Sequence, residues 1–304
     1  MQIDRSDVIF TVVQSISIIG AGRVGGALAI ALDRAGYRID SIYYRGDNYL
    51  STLRKNLPPT VNFENRLNGD LSGSDILIIA SGDPDIRGIA DEIAKHSGLP
   101  KFALHTSGSL SSAELSSLHE KGVHAASLHP LAAVSEPMAG VERFRGAFFC
   151  VEGDSNAVKV AEELAKAVGG KPFSIPSGSK PIYHAAAVMS AGHVVALLDA
   201  AIEMMTHCGL SPDESREILV PLAAGSVENL KDRRPAAALT GPYARGDASA
   251  SARHLSSFDD ARVGEELRTI YLDLALRSVE MMAAEGRSLE PLREAILIAK
   301  HKGE

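Results

Sequence analysis

The sequence has little cysteine and no dense block of basic residues. Cys150 and Cys208 are the only cysteines among 304 residues, and neither belongs to a CxxC pair. This excludes a disulfide framework and is typical of a reducing compartment, so we expect a cytoplasmic protein. The formal net charge of −7 argues against nucleic acid or an anionic membrane as the main partner. It leaves room for an anionic small molecule, which needs only a local basic pocket.

A metal-binding pattern and a targeting segment are also missing. None of the ten histidines has HExxH spacing or partner carboxylates at metal-ligand spacing, so the sequence predicts no metal. The mostly apolar run "VIFTVVQSISIIG" (8–20) lacks a small-residue cleavage site and leads directly into a glycine motif. It is too short to span a bilayer, and we interpret it as a lead-in and a buried first strand.

Short β-branched runs alternate with helical stretches in the first half of the chain, which predicts a mainly parallel α/β sheet covered on both faces. The predicted strands are 15–20, 38–45, 75–80, 101–105, 123–129, 147–153 and, at an edge, 171–176. The predicted helices are 24–36, 83–96, 109–122 and 155–170. From 179 onward, apolar residues recur at helical spacing only. We therefore expect an α/β domain over 1–176 and an all-helical domain over 177–304.

A glycine motif follows the first strand. "IIGAGRVGGAL" places Gly20, Gly22 and Gly25 in GxGxxG spacing between a strand and a helix. In a Rossmann-type domain these glycines allow a tight turn, a close approach to a pyrophosphate and close helix–strand packing. The alternative is a glycine-rich turn that binds no ligand. The residues predicted to bind a dinucleotide here are Gly20, Ala21, Gly22, Arg23, Val24 and Gly25.

The end of the second strand bears on the choice between the nicotinamide cofactors. The chain reads "IDSIYYRGDN", with Arg45 twenty residues after Gly25. A guanidinium can bind a 2′-phosphate through paired hydrogen bonds, so NADP is favoured over NAD. Asp47 as a ribose ligand and Arg45 as a solvated loop residue are the alternatives. Further on, "ASGDPD" (80–85) predicts that Ser81 and Gly82 line the cofactor and that Asp83 caps the next helix.

Hydroxyl groups and a histidine follow the next two strands. "LHTSGSLS" (104–111) places Ser107 as a candidate for binding a substrate carboxylate, with Ser109 a candidate helix cap. In "SLHPL" (127–131), His129 precedes a proline, so its backbone should be extended. Its side chain then points toward a cleft or into the core. The sequence leaves both a functional and a purely structural role open for His129.

An ionisable pair begins the helical part of the chain. In "SKPIYHAAAV" (179–188), Pro181 suits a first helical turn, and Lys180 and His184 stand one turn apart on the same face. The positive helix end and burial should both lower the pKa of Lys180, and a lysine nearer neutrality can act as a general acid. His184 could share or relay the proton. A surface lysine and an interhelical histidine are the alternative.

A further candidate lies in "LTGPYARGDASASARHL" (239–255). Arg245 could bind a substrate carboxylate bidentately. Asp247 is expected to cap the helix that follows.

Five segments together resemble a known family. They are "IIGAGRVGGAL", "HTSGS", "SLHPL", "KPIYHAAAV" and "LTGPYARGD". The sequence is similar to Rossmann-like proteins with a C-terminal domain of unknown function, in the 6-phosphogluconate dehydrogenase-like superfamily, related in layout to pyrroline-5-carboxylate reductase and ketopantoate reductase. The resemblance implies an NAD(P)-binding oxidoreductase whose helical domain forms a homodimer, with Lys180 as proton donor and His184 as the next candidate. Relatives often carry an asparagine where this chain has Ser190, Ala191 and Gly192.

The expected function is therefore a reductase. NADPH would deliver hydride to a C=O or C=N of a small carboxylate-bearing substrate, such as ketopantoate or a cyclic imino acid. The His-Pro pair at 129 leaves a prephenate-dehydrogenase-like oxidative reaction open. A sensor or scaffold that binds NADP(H) without turnover is the alternative from another class.

Overall fold

The computed structural model describes residues 14–67, 71, 73–261 and 263–301. Contacts divide the chain into two compact units, with the division between Ala191 and Gly192. The boundary predicted from sequence, at 176/177, lies earlier. The predicted boundary assigns the helix that begins at Lys180 to the second domain, whereas the contacts assign it to the first unit. The Lys180 side chain is hydrogen-bonded to Ser107 and Ser127 of that first unit.

The first unit contains one eight-stranded sheet. Its strands are β1 (Ser15–Ile19), β2 (Arg38–Tyr43), β3 (Asn62–Glu64), β4 (Ile76–Ile79), β5 (Phe102–His105), β6 (His124–Leu131), β7 (Phe148–Gly153) and β8 (Lys171–Ser174). Their order is β3-β2-β1-β4-β5-β6-β7-β8, and every neighbouring pair is parallel except β6 with β7. The first six follow the doubly wound Rossmann order, so the predicted fold class is confirmed. The short β3 was not predicted.

The centre of the sheet is apolar on both faces. The β1 sequence SISII and the β4 sequence ILII are buried at every position, as expected for parallel strands covered by helices on both sides. One core cluster includes Ile16, Ile18 and Ile30, and the other includes Leu77, Ile79 and Ile86. Successive side chains of a strand point to opposite faces, so β1 and β4 each supply both clusters.

The helices of the first unit are α1 (Arg23–Arg34), α2 (Leu50–Asn56), α3 (Asp83–Ile93), α4 (Ser116–His119), α5 (Pro137–Phe144), α6 (Ser155–Ala167) and α7 (Lys180–Ser190). The predicted helix over 109–122 is wrong, because a 3-10 helix (Ser112–Leu115) and the single turn α4 replace it. The Glu152 carboxylate binds the backbone N–H and the hydroxyl of Ser112. Side-chain acceptors of this kind compete with regular helix formation.

The second unit is helical throughout its described residues. Its helices are α8 (Gly192–Thr206), α9 (Pro212–Asn229), α10 (Pro235–Ala238), α11 (Gly241–Arg245), α12 (Ala248–Ala261), α13 (Glu265–Ala284) and α14 (Glu290–His301). A core of α13 and α14 side chains includes Leu272, Val279 and Ile296. Asp247 caps α12 as predicted, because its Oδ1 accepts a hydrogen bond from the Ala250 N–H at 3.0 Å.

One helical stretch within the described residues, Ser177–Thr206, is long and apolar enough to cross a membrane by length and composition. It includes α7 and α8. A single such stretch is weak evidence, because apolar helices of soluble proteins meet the same criterion.

Candidate functional site

The glycine loop has the geometry that its spacing predicts. Gly20 has a φ of +113°, and a Cβ there would lie 2.5 Å from the Ala80 carbonyl oxygen. A Cβ on Gly25 would lie 1.9 Å from the Gly20 carbonyl oxygen. Both positions therefore require glycine. Gly22, at the N-cap of α1, differs because a Cβ there would have no atom within 4 Å, so its backbone faces open space.

The other predicted residues of this loop lie around that opening. Ala21 is buried, Val24 is half-buried, and Arg23 is exposed as the first residue of α1. The free N–H groups and the positive end of a helix N-terminus favour a bound phosphate. The loop can therefore receive a pyrophosphate at Gly22.

A pocket of about 410 Å³ lies beside this loop, at the carboxyl ends of β1, β2, β3 and β4. Its walls include Gly20, Tyr44, Arg45, Arg66, Ser81 and Ile89. Ligands bind outside the carboxyl ends of strands in open α/β sheets. The predicted residues Arg45 and Ser81 thus share one pocket with Gly20, and Arg66 was missed from the sequence. The adjacent Gly82 is the N-cap of α3.

Two acidic residues, Asp83 and Asp85, lie in the first turn of α3 near this pocket. The predicted cap Asp83 is not the N-cap, because α3 already begins at Asp83, and its carboxylate instead accepts a 2.7 Å hydrogen bond from the Ser109 hydroxyl. Asp85, in the same helical turn, forms an ion pair with the Arg45 guanidinium. Arg45 and Asp85 are both exposed, with 74% and 42% of their side-chain surfaces accessible.

The Lys180 side chain is wholly buried. Its Nζ donates hydrogen bonds to the Ser107 carbonyl oxygen at 2.8 Å and to the Ser127 Oγ at 2.6 Å. Burial lowers the pKa of Lys180 from its ordinary value, although Cys150 and Glu152 act in the opposite direction. The predicted direction is confirmed. The amine is hydrogen-bonded to the loop after β5, and its role as proton donor stays a prediction.

Two histidines and a tyrosine lie next to this lysine. The His129 Nδ1 and the Tyr183 hydroxyl form a 2.7 Å hydrogen bond. The His129 and His184 rings meet edge to face, with centroids 5.7 Å apart. A Cβ on Gly108 would lie 2.4 Å from His184 Nδ1 and 2.8 Å from His129 Nε2. Only a glycine lets the loop after β5 approach both rings.

Local periodicity explains why these groups converge. Lys180, Tyr183 and His184 share one face of α7 through their three- and four-residue spacing. Ser127 and His129 are two apart on β6 and therefore share one face of that strand. Tyr183 and Ser127 were missed, although the helical spacing placed Tyr183 beside Lys180. The strand alternation likewise placed Ser127 beside His129.

Burial sets the protonation of this cluster. It lowers the pKa of His129 to about 3, with the nearby Lys180 and His184 adding to the effect. Burial also raises the pKa of Tyr183. His129 and Tyr183 are therefore uncharged at neutral pH and act as hydrogen-bonding groups. The Nδ1 of His184 is buried and has no hydrogen-bond partner among the described residues.

Ser107 lies at the turn between these groups. Its hydroxyl accepts hydrogen bonds from the backbone N–H of Ser109 at 3.2 Å and of Leu110 at 3.0 Å. It is 5% exposed, so a role in binding a carboxylate stays a prediction. Arg245 is the last residue of α11 in the helical unit, and its role also stays a prediction. Within the described residues, no group of three or more His, Cys, Asp or Glu side chains could hold a metal ion.

Two family models match the chain. A Rossmann-like domain matches residues 1–130, and a domain of unknown function (DUF2520) matches residues 147–278. The N-terminal part of the chain is therefore similar to Rossmann-like domains, and the C-terminal part is similar to DUF2520. The resemblance predicted from the sequence motifs is confirmed. A comparison with curated protein sequences gives no match.

Solved structures show the same fold. A Bacteroides fragilis protein assigned as an NADP oxidoreductase is 21% identical, with a TM-score of 0.70 over 88% of this chain and 98% of that one. A Thermotoga maritima protein is 23% identical, with a TM-score of 0.67 over 90% and 100%. Pyrroline carboxylate reductase of Plasmodium falciparum, with NADP bound, is 18% identical, with a TM-score of 0.55 over 96% and 98%.

Proposed function

We propose that this protein is an NADP-dependent oxidoreductase that acts on a C=O or C=N group of a small carboxylate-bearing substrate. The observation that supports it most is an arrangement within the α/β unit. The open backbone at Gly22 and the pocket with Arg45 lie at the carboxyl ends of the strands. The His129–Tyr183–His184 cluster is built on β6 and α7 of the same unit.

The residues present fit a nicotinamide dinucleotide. The α1 N-terminus and Gly22 would hold the pyrophosphate, and the pocket with Arg45 would hold the adenosine. A guanidinium beside the adenosine ribose favours the 2′-phosphate of NADP. When bound, NADPH supplies the hydride. The NADP bound to the Plasmodium falciparum reductase supports the same cofactor here.

His184 is the group we propose as proton donor to the substrate heteroatom. It is half-buried, stands on the helix face that carries Lys180, and lies against the Gly108 backbone. His129 stays neutral and can donate a hydrogen bond to the same oxygen or nitrogen. General acids of this type contribute on the order of 10²–10⁴ to a rate. Lys180 positions the loop by holding the Ser107 carbonyl.

The fold and the polar cluster support the substrate class that we propose. A pyrroline carboxylate reductase shares this fold, which supports an imino acid, and a ketopantoate-like oxo acid fits the same chemistry. Ser107 is the group of the α/β unit that we propose for the carboxylate, and a role for Arg245 stays a prediction. A cytoplasmic location accords with the cysteine content.

We also propose a homodimer formed through the helical unit. Large apolar side chains are exposed on α8 and α9, namely Val195, Leu197, Ile218, Val220, Leu222 and Val227. Clusters of exposed large apolar residues are typical of a protein–protein interface.

Cofactor binding and turnover test the proposed function. The purified chain should bind NADPH more tightly than NADH and should consume NADPH with an oxo acid or a cyclic imino acid. Arg45→Ala should weaken NADPH binding by about 1–3 kcal/mol, the range for a lost hydrogen bond to a charged group, while NADH binding stays unchanged.

Arg143→Ala is the matched control, because Arg143 is an exposed arginine on α5 and does not line the pocket. An unchanged NADPH/NADH preference in Arg45→Ala would contradict the assignment of NADP. NADPH binding without consumption of any substrate in the panel would favour a sensor over an enzyme.

A further inference from the structure

We propose that the adenosine end of the pocket selects NADP by an exchange of charges among Arg45, Arg66 and Asp85. Asp85 forms an ion pair with Arg45. The 2′-phosphate displaces Asp85 from Arg45, and Arg66 supplies the second positive charge that makes the exchange favourable. This inference rests on the proposed function and adds two residues that determine cofactor specificity.

The register of the sheet places the two arginines side by side. Strands β2 and β3 are parallel, and Tyr43 pairs with Glu64. Arg45 lies two residues after Tyr43 and Arg66 lies two residues after Glu64, so both follow the sheet at the same edge. Both line the same pocket. Because parallel strands are about 5 Å apart, two such side chains can reach one phosphate.

Arg66 is available for a ligand. It is exposed, and none of the described residues forms an ion pair or hydrogen bond with it. Arg54 is different, because its guanidinium stacks over the Phe63 ring at 4.6 Å. The pocket therefore offers one arginine that is paired and one that is free.

Asp85 also lines the pocket. It belongs to the first turn of α3, which follows β4, and its carboxylate contacts the Arg45 guanidinium. A 2′-phosphate at Arg45 would place a second anion beside this carboxylate, and like charges in one site repel. Exposed ion pairs contribute little to stability, so this one can exchange readily. NADH carries no 2′-phosphate and leaves the pair intact.

Opposite effects on affinity follow for the two residues. Arg66→Gln should weaken NADPH binding about tenfold, the loss expected for one charge-assisted hydrogen bond, and should leave NADH binding within about twofold. Asp85→Asn should tighten NADPH binding roughly threefold, because repulsion disappears and the lost ion pair is weak. Arg66→Lys should lie between wild type and Arg66→Gln, since it keeps the charge but loses the planar fork.

Calorimetric titration of the 304-residue chain with NADPH, NADH and 2′,5′-ADP tests these effects without a substrate. The matched controls are Arg143→Gln and Asp91→Asn, which change exposed residues outside the pocket. Circular dichroism serves to check that each variant is folded. Salt adds a second readout, because the decline of 2′,5′-ADP affinity with ionic strength should be shallower in Arg66→Gln.

The possible outcomes separate this inference from the proposed function. If Arg66→Gln leaves the NADPH/NADH ratio and the salt dependence unchanged while Arg45→Ala lowers that ratio, the role of Arg66 is refuted and the cofactor assignment stands. If Asp85→Asn weakens NADPH binding, Asp85 supports the site and the exchange is refuted. If the wild-type chain binds neither dinucleotide, both proposals fail.

Discussion

Replacing Lys180 with methionine tests whether the buried amine is a structural element of the site. Methionine keeps much of the side-chain volume but removes the hydrogen bonds to the Ser107 carbonyl and the Ser127 hydroxyl. A buried polar group left without a partner costs about 1–3 kcal/mol. Lys180 is wholly buried, so Lys180→Met leaves the Ser107 carbonyl and the Ser127 hydroxyl without their partner. At a pH where the wild-type amine is neutral, the free energy of unfolding should fall by about 1–3 kcal/mol for each of these two groups.

The pH dependence of the difference in unfolding free energy between wild type and Lys180→Met tests the pKa of the buried amine directly. Burial holds the pKa of Lys180 in the folded state below the ordinary 10.5. Between the lowered value and 10.5 the unfolded chain binds more protons than the folded one, so wild-type stability rises with pH. The variant lacks this contribution. The advantage of wild type over Lys180→Met should grow by at most about 1.4 kcal/mol per pH unit in that window and then level off.

Urea unfolding followed by circular dichroism at a series of pH values measures both quantities. Lys159→Met is the matched control, because Lys159 is an exposed lysine on α6 of the same unit. Its stability curve should run parallel to that of wild type. If the curve of Lys180→Met also runs parallel, Lys180 does not titrate with a lowered pKa and the account of the buried amine is wrong.

Two further predictions concern the loop and the assembly. Gly108→Ala places a Cβ 2.4 Å from His184 Nδ1, so it should lower the free energy of unfolding by about 1–3 kcal/mol. It should also lower turnover, while NADPH affinity stays within about twofold of wild type. Gly178→Ala is the control, because a Cβ there meets open space, and equal turnover of the two variants would contradict the close approach of Gly108 to His184. Light scattering should give twice the chain mass for the wild-type protein. Leu222→Glu should shift the measured mass toward that of the monomer, because Leu222 is an exposed apolar residue on α9. A monomeric wild type would refute the dimer.

Sequence reasoning located most of the sheet but missed its shortest parts. Seven of the eight strands were predicted within a few residues. The signal is strongest for SISII and ILII, which are buried at every position. The strand Asn62–Glu64 has one apolar residue and forms only through pairing with β2. The helix predicted over 109–122 failed because Glu152, distant in sequence, binds the Ser112 backbone.

The candidate site was predicted unevenly. Gly20, Gly22 and Gly25 follow from spacing, and Lys180 and His184 follow from a helical period. The role of Lys180 as proton donor stays a prediction. Spacing alone did not reveal that its amine is wholly buried and donates a hydrogen bond to the loop after β5.

Local chemistry in the sequence alone determined the Rossmann-type unit, the glycine loop, the helical second half and the shared face of Lys180 and His184. These features depend on steric freedom at glycine and on periodicity over a few turns, which neighbouring residues settle. Only the tertiary structure decided that Tyr183 bonds to His129, that Ser127 bonds to Lys180 and that Asp85 pairs with Arg45. Each of these contacts joins segments far apart in the chain. It forms only because sheet order and strand register bring the two segments to the same place.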